Sequence, residues 1–82
     1  MKQILKFSAT WCGPCKMLKE TIDEYTDIPV PVKDLDIEQD FEMARTWNVR
    51  SVPTLVLVQN GSELRRIVGT LTLPQLKEFV NG

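Results

Sequence analysis

Apolar residues along this chain come in two rhythms. Ile4-Leu5-Lys6-Phe7 and Leu55-Val56-Leu57-Val58 are short runs, the second unbroken. Such runs predict strands, here over residues 2–8 and around 55–58, and an unbroken run predicts a strand buried on both faces. Elsewhere the spacing lengthens to three and four. Cys15, Leu18, Ile22 and Tyr25 line one face of a helix over residues 13–26, and Leu76, Phe79 and Val80 line one face of another near the C-terminus. Ile28-Pro29-Val30-Pro31 breaks the first helix and begins extended structure, and Val32, Leu35 and Ile37 mark a less regular strand. Asp40 is placed to cap a short helix running to Trp47, with Phe41, Ala44 and Trp47 as its apolar face.

Local signals fill the gaps. Asn60-Gly61 predicts a tight hairpin, because both residues tolerate positive φ. Glu63–Gly69 is then the returning antiparallel strand, its charges suited to a sheet edge. Thr72-Leu73-Pro74-Gln75 fits a capping box, with Leu71 and Leu76 placed as a hydrophobic staple. The predicted order is β-α-β-α-β-β-α, an α/β domain whose first crossover is right-handed and joins parallel strands.

Eighty-two residues suffice for one domain, residues 1–82, that buries about 60–65% of the surface its unfolded chain exposes. Composition is that of a folded globular protein, 43% hydrophobic and 26% charged, with a net charge of −1. Lys and Arg are spread along the chain, which argues against nucleic acid as a partner. No apolar stretch approaches the roughly 18 residues of a membrane span, and the N-terminal apolar segment is too short for a signal peptide. These features predict a soluble, cytoplasmic protein without a membrane partner, and a monomer.

The candidate chemistry lies in Trp11-Cys12-Gly13-Pro14-Cys15, which holds both cysteines of the chain. The pentapeptide ends the first strand and opens the first helix. Unpartnered N–H groups of a first helical turn, that of Cys15 among them, point toward the first thiol, and the helix dipole adds positive potential. Both favour thiolate, so Cys12 is the expected nucleophile. Cys15, one turn further in, is expected to be more buried and to resolve the mixed disulfide. Gly13 permits the tight entry, Pro14 stiffens the loop at no cost in helix hydrogen bonds, and Trp11 is expected to cover the pair. Zinc needs four ligands, and this chain offers two Cys and no His. Two inert buried cysteines remain the bland alternative. Met17 is expected to pack beside the pair, Trp47 to anchor the short helix or border a groove, and Arg50 to be a solvated charge or to steer acidic partners.

From Phe7 to Lys16 the chain resembles thioredoxin, and so do Arg50-Ser51-Val52-Pro53-Thr54, the Asn60-Gly61 hairpin and the segment from Val68-Gly69 to Leu76-Lys77-Glu78-Phe79. The resemblance runs from about residue 4 to residue 80. It implies a thioredoxin fold, a cis Pro53 packed against the cysteines, a Val52 backbone that pairs with an extended target segment, and Gly69 lining the same groove. It also implies a protein-disulfide reductase with no bound cofactor, reset by a thioredoxin reductase that draws on NADPH.

Three departures stand out. The family usually carries a further β-α unit before the first strand, so a minimal, four-stranded mixed sheet flanked by helices is expected, with its edge exposed near Val32–Ile37. Ser8 replaces a common second Trp. Lys6 occupies the position of the family's buried Asp, and Asp34 that of its Lys partner. A charge-swapped pair would leave Asp34 or Lys6 as proton acceptor for Cys15; alternatively Lys6 snorkels to solvent.

Two other functions are weighed. A glutaredoxin-like electron donor, for instance to ribonucleotide reductase, fits the size. The Gly-Pro loop does not fit it, nor does Val68-Gly69-Thr70 where a glutathione-binding segment would stand. A binding subunit that uses the groove around Trp11, Val52 and Gly69 without the thiols belongs to a different class. The short format also resembles small phage and microbial thioredoxin-like proteins.

Overall fold

The computed structural model describes residues 1–82. It contains β1 (Lys2–Ser8), α1 (Gly13–Glu24), β2 (Val32–Asp36), α2 (Phe41–Thr46), β3 (Thr54–Gln59), β4 (Ser62–Val68) and α3 (Leu73–Asn81), in the expected order. The four strands form one mixed sheet, β2-β1-β3-β4. β1 and β2 are parallel, and β3 is antiparallel to both β1 and β4.

The unbroken apolar run of β3 has a simple reason. Successive side chains on a strand point to opposite faces, and here both faces are covered. Leu55 and Leu57 join Ile4, Leu18, Leu76, Phe79 and Val80 in a core under α1 and α3. Val56 and Val58 join Leu5, Phe7, Leu35 and Ala44 in a second core under α2. The hairpin and the last helix form as their local chemistry demands. Asn60 and Gly61 take φ values of 53° and 84°. The Gln75 N–H donates to Thr72 Oγ1 at 3.3 Å and the Thr72 N–H donates to Gln75 Oε1 at 2.9 Å, completing the capping box.

The middle of the chain departs from expectation. α1 ends at Glu24, with Tyr25 as its C-cap, although Tyr25 still reaches the core. Residues 26–31 form turns and bends before β2, and Ile37 lies just past its end. On α2 the inward face is Met43, Ala44 and Trp47, while Phe41 is 54% exposed. Asp40 occupies the N-cap position of α2 but makes no side-chain cap. Its carboxylate accepts the Asp36 N–H at 3.0 Å, and its own N–H donates to the Asp36 carbonyl at 2.7 Å. Asp36 faces outward from the sheet, so Asp40 closes the end of the β2 edge. The outward backbone positions left on that edge are Val32 and Asp34, and Pro31 precedes them.

At the other end of the sheet Arg66 ties β4 to α2. Its Nη2 donates to the Trp47 carbonyl at 2.8 Å and to Glu63 Oε1 at 2.7 Å. The hydrogen bond from Arg66 holds the Glu63 carboxyl below its ordinary range. Trp47 thus anchors the short helix, as one of its two readings had it.

Candidate active site

β1 runs from the sheet interior to Ser8, and residues 9–12 turn the chain into α1. Cys12 is the N-cap of that helix, with extended backbone at φ −95° and ψ 112°. Its Sγ accepts the Cys15 N–H at 3.2 Å, satisfying one of the donors a helix start leaves unpaired. The two cysteines are disulfide-bonded, with Cα atoms 5.2 Å apart. Both are 5% exposed, so Cys15 is no deeper than Cys12 in this oxidised state. Ala9, Ile37 and Val52 pack with them in one small cluster.

Trp11 is 67% exposed, and its Nε1–H donates to Glu38 Oε1 at 3.1 Å. An indole N–H needs an acceptor, and Glu38 supplies it from the loop after β2. Gly13 has no positive φ, and a Cβ there would meet nothing within 4 Å. Its bareness keeps the surface beside the sulfurs low and is not required for the turn. Pro14 stands in the first turn of α1, where no helix bond is lost. Met17 is 61% exposed and lines a shallow cavity with Thr70, Leu71 and Thr72, away from the sulfurs.

The loop before β3 completes the site. The Val52–Pro53 peptide bond is cis, and Pro53 is buried. Thr54, itself buried, donates its hydroxyl to the Ser51 carbonyl at 2.7 Å. The Gly69 N–H donates to the Pro53 carbonyl at 2.9 Å, which brings the end of β4 alongside. Gly69 has a φ of 98°, and a Cβ there would point into open space. Val52 packs its side chain on the cysteines, while its N–H and C=O make no hydrogen bond within the chain. An unpaired backbone amide next to a disulfide is an open position for an extended chain. Arg50 is exposed, its Nε donating to Asn48 Oδ1 at 3.3 Å.

Lys6 and Asp34 meet. Lys6 Nζ lies 2.8 Å from Asp34 Oδ1, with the lysine side chain 9% and the aspartate 73% exposed. The buried stem therefore carries its ammonium across to a hydrated carboxylate on the β2 edge. Both residues line an open cavity of about 650 Å³ with Lys19, Ile22, Asp23 and Tyr25 of the α1 side. Neither cysteine lines it.

A family model described as Thioredoxin matches residues 1–82. The chain belongs to the thioredoxin family. It is 46% identical over 70 residues to Thioredoxin H2-1 of Oryza sativa, an overlap of 80% of this chain and 49% of that protein. It is 42% identical over 69 residues to the Bifunctional thioredoxin reductase/thioredoxin of Mycobacterium leprae, covering 80% of this chain and 15% of that one. The chain thus spans about half of the rice relative and a small part of the mycobacterial one. Among solved structures, a mutant thioredoxin from Halobacterium salinarum superposes with a TM-score of 0.88 at 31% identity, over 96% of this chain and 71% of that chain. The thioredoxin fold expected from the sequence is the fold observed.

Sequence reasoning, through the family resemblance, assigned Cys12, Cys15, Val52, Pro53 and Gly69 to one groove; in the structure Val52 packs with both cysteines and the Gly69 N–H meets the Pro53 carbonyl. It missed Glu38, Ala9 and Ile37. The acceptor of the Trp11 indole lies 27 residues away, and the sequence offered no sign of which of several acids would reach it. No three His, Cys, Asp or Glu side chains converge as metal ligands, and no helix is long and apolar enough to cross a membrane.

Proposed function

We propose that this chain is a protein-disulfide reductase formed by one domain, residues 1–82, that works as a monomer in the cytoplasm. The observation that carries the reading is the Cys12 Sγ at the start of α1, accepting the Cys15 N–H beside the unpaired backbone of Val52. In the reduced protein that N–H and the helix dipole favour the Cys12 thiolate. The thiolate attacks one sulfur of a target disulfide and expels the other as a thiolate. Cys15 then attacks Cys12 Sγ in the mixed disulfide, releasing the second target sulfur. Two electrons pass to the target, two protons complete its thiols, and the Cys12–Cys15 disulfide is left. Val52 holds the target strand, with Pro53 and Gly69 shaping the groove beside Trp11.

The chain itself holds no cofactor in this reading. NADPH acts through a thioredoxin reductase, and a relative whose name joins the two proteins supports that pairing. Ribonucleotide reductase is one target proposed by analogy. The test is reduction of insulin disulfides. Turnover with NADPH and thioredoxin reductase is expected, with little or none when glutathione and its reductase replace them. The reverse preference would make the chain glutaredoxin-like, and no turnover with either would leave a binding role for the groove.

We read the Lys6–Asp34 pair as structural and not as the proton acceptor of Cys15, because it opens on a cavity that no cysteine lines. Lys6→Met removes a buried charge and leaves a carboxylate that water already solvates, so stability is expected to change by no more than about 1 kcal/mol. The rate of mixed-disulfide resolution, followed by rapid quench, is expected to be unchanged in Lys6→Met and in Asp34→Asn. A tenfold fall in both would assign the pair to proton transfer.

A further inference from the structure

Trp11 and Glu38 form a contact that the exchange of disulfides does not consume. Trp11 stands two-thirds exposed, directly before Cys12, and its indole N–H is held by Glu38 Oε1 at 3.1 Å. The ring is therefore both presented and oriented. Glu38 is exposed and keeps its second oxygen free of any partner in the chain. Its acidic neighbours are used differently. Asp36 accepts the N–H groups of Glu38 and Gln39, and Asp40 accepts that of Asp36. None of the three salt bridges of the protein involves Glu38. An uncompensated negative charge thus sits at the margin of an exposed aromatic face, beside the reactive sulfurs.

We propose that Trp11 and Glu38 dock an arginine of the target that flanks its disulfide, so that Glu38 is a specificity-determining residue. A guanidinium is planar. It can lie over the indole face while its edge donates to the free Glu38 oxygen, so one side chain satisfies both features. A lysine ammonium has no plane to stack, and a target carboxylate in the same place is repelled. The inference rests on the reductase reading, since the docking point would select among its targets.

Three peptides test it, each with one disulfide and either Arg, Gln or Glu beside the attacked cysteine. In the binding arm their cysteines are S-methylated, and the peptides are titrated into oxidised, 15N-labelled protein. The Trp11 indole N–H signal, assigned with Trp11→Phe, reports occupancy. The Arg peptide is expected to bind roughly fivefold more tightly than the Glu peptide. That ratio is expected to fall below about twofold in 1 M salt, where screening shortens to about 3 Å. It is expected to fall likewise in Glu38→Gln, which keeps an acceptor for the indole. Equal titration by all three peptides, no shift with any of them at about 10 mM, where even a millimolar complex would be mostly formed, or a ratio unmoved by Glu38→Gln overturns the proposal. In the turnover arm the intact disulfide peptides are reduced, and kcat/KM is expected to follow the same order. Reduction of none of them removes the reductase reading, while the indole titration still decides the docking point by itself.

Discussion

Replacing Cys12 with serine is expected to lower disulfide reduction by about three orders of magnitude or more, because a serine hydroxyl is not ionised near neutral pH and no second thiol occupies the N-cap. The substitution isolates chemistry from folding. Serine is among the preferred N-cap residues, and its oxygen can accept the Cys15 N–H that Cys12 Sγ now accepts at 3.2 Å. Helix α1 should therefore keep its start, and circular dichroism should be unchanged. Cys15→Ser is expected to fail one step later: Cys12 still attacks, but nothing releases the product. Intact-mass spectrometry after mixing with a disulfide substrate should show a covalent adduct in Cys15→Ser and none in Cys12→Ser. Adducts in both variants, or in neither, would contradict the division of roles between the two sulfurs.

The second large effect is on stability. Phe7 is fully buried in the core under α2, on a strand with neighbours on both sides. Phe7→Ala is expected to cost about 3–5 kcal/mol through lost transfer energy and the cavity left behind. A domain of this size has roughly 4–12 kcal/mol in total, so the variant should be near its unfolding threshold at 37 °C. Urea titration of the oxidised protein measures this as a fall in midpoint with an unchanged slope. Phe41→Ala, at an exposed site, provides the control and should stay within about 0.5 kcal/mol. A loss at Phe41 comparable to that at Phe7 would mean that α2 packs differently from what is described above.

The contrast between these two phenylalanines shows where sequence was informative. β3 and α3 were legible because every local signal agreed: an unbroken apolar run with two covered faces, a hairpin with two positive φ values, a reciprocal capping box. α2 has six residues, too few for spacing to choose between the face carrying Phe41 and the face carrying Met43. The cysteine pair was legible because its chemistry needs only four consecutive residues. The surroundings of the pair were legible only in part. The Lys6–Asp34 contact was one of two alternatives that the resemblance offered, whereas Trp11 meets Glu38 across a distance that only the loop after β2 determines. The burial of Cys15 relative to Cys12 was misjudged because helix position alone does not show that both cysteines pack into one cluster with Ala9, Ile37 and Val52.

Asp40 carries a practical consequence for anyone engineering this chain. A common way to strengthen a helix is to install serine or threonine at its first position, and the sequence points to residue 40 as the place to do it. There the carboxylate is already committed to the Asp36 amide at 3.0 Å. A shorter side chain would leave that amide bare beside Val32 and Asp34. It would lengthen the row of free backbone groups on which the strand of a neighbouring molecule could nucleate a shared sheet. A change chosen to tighten a helix would then register as stickiness in concentrated solution.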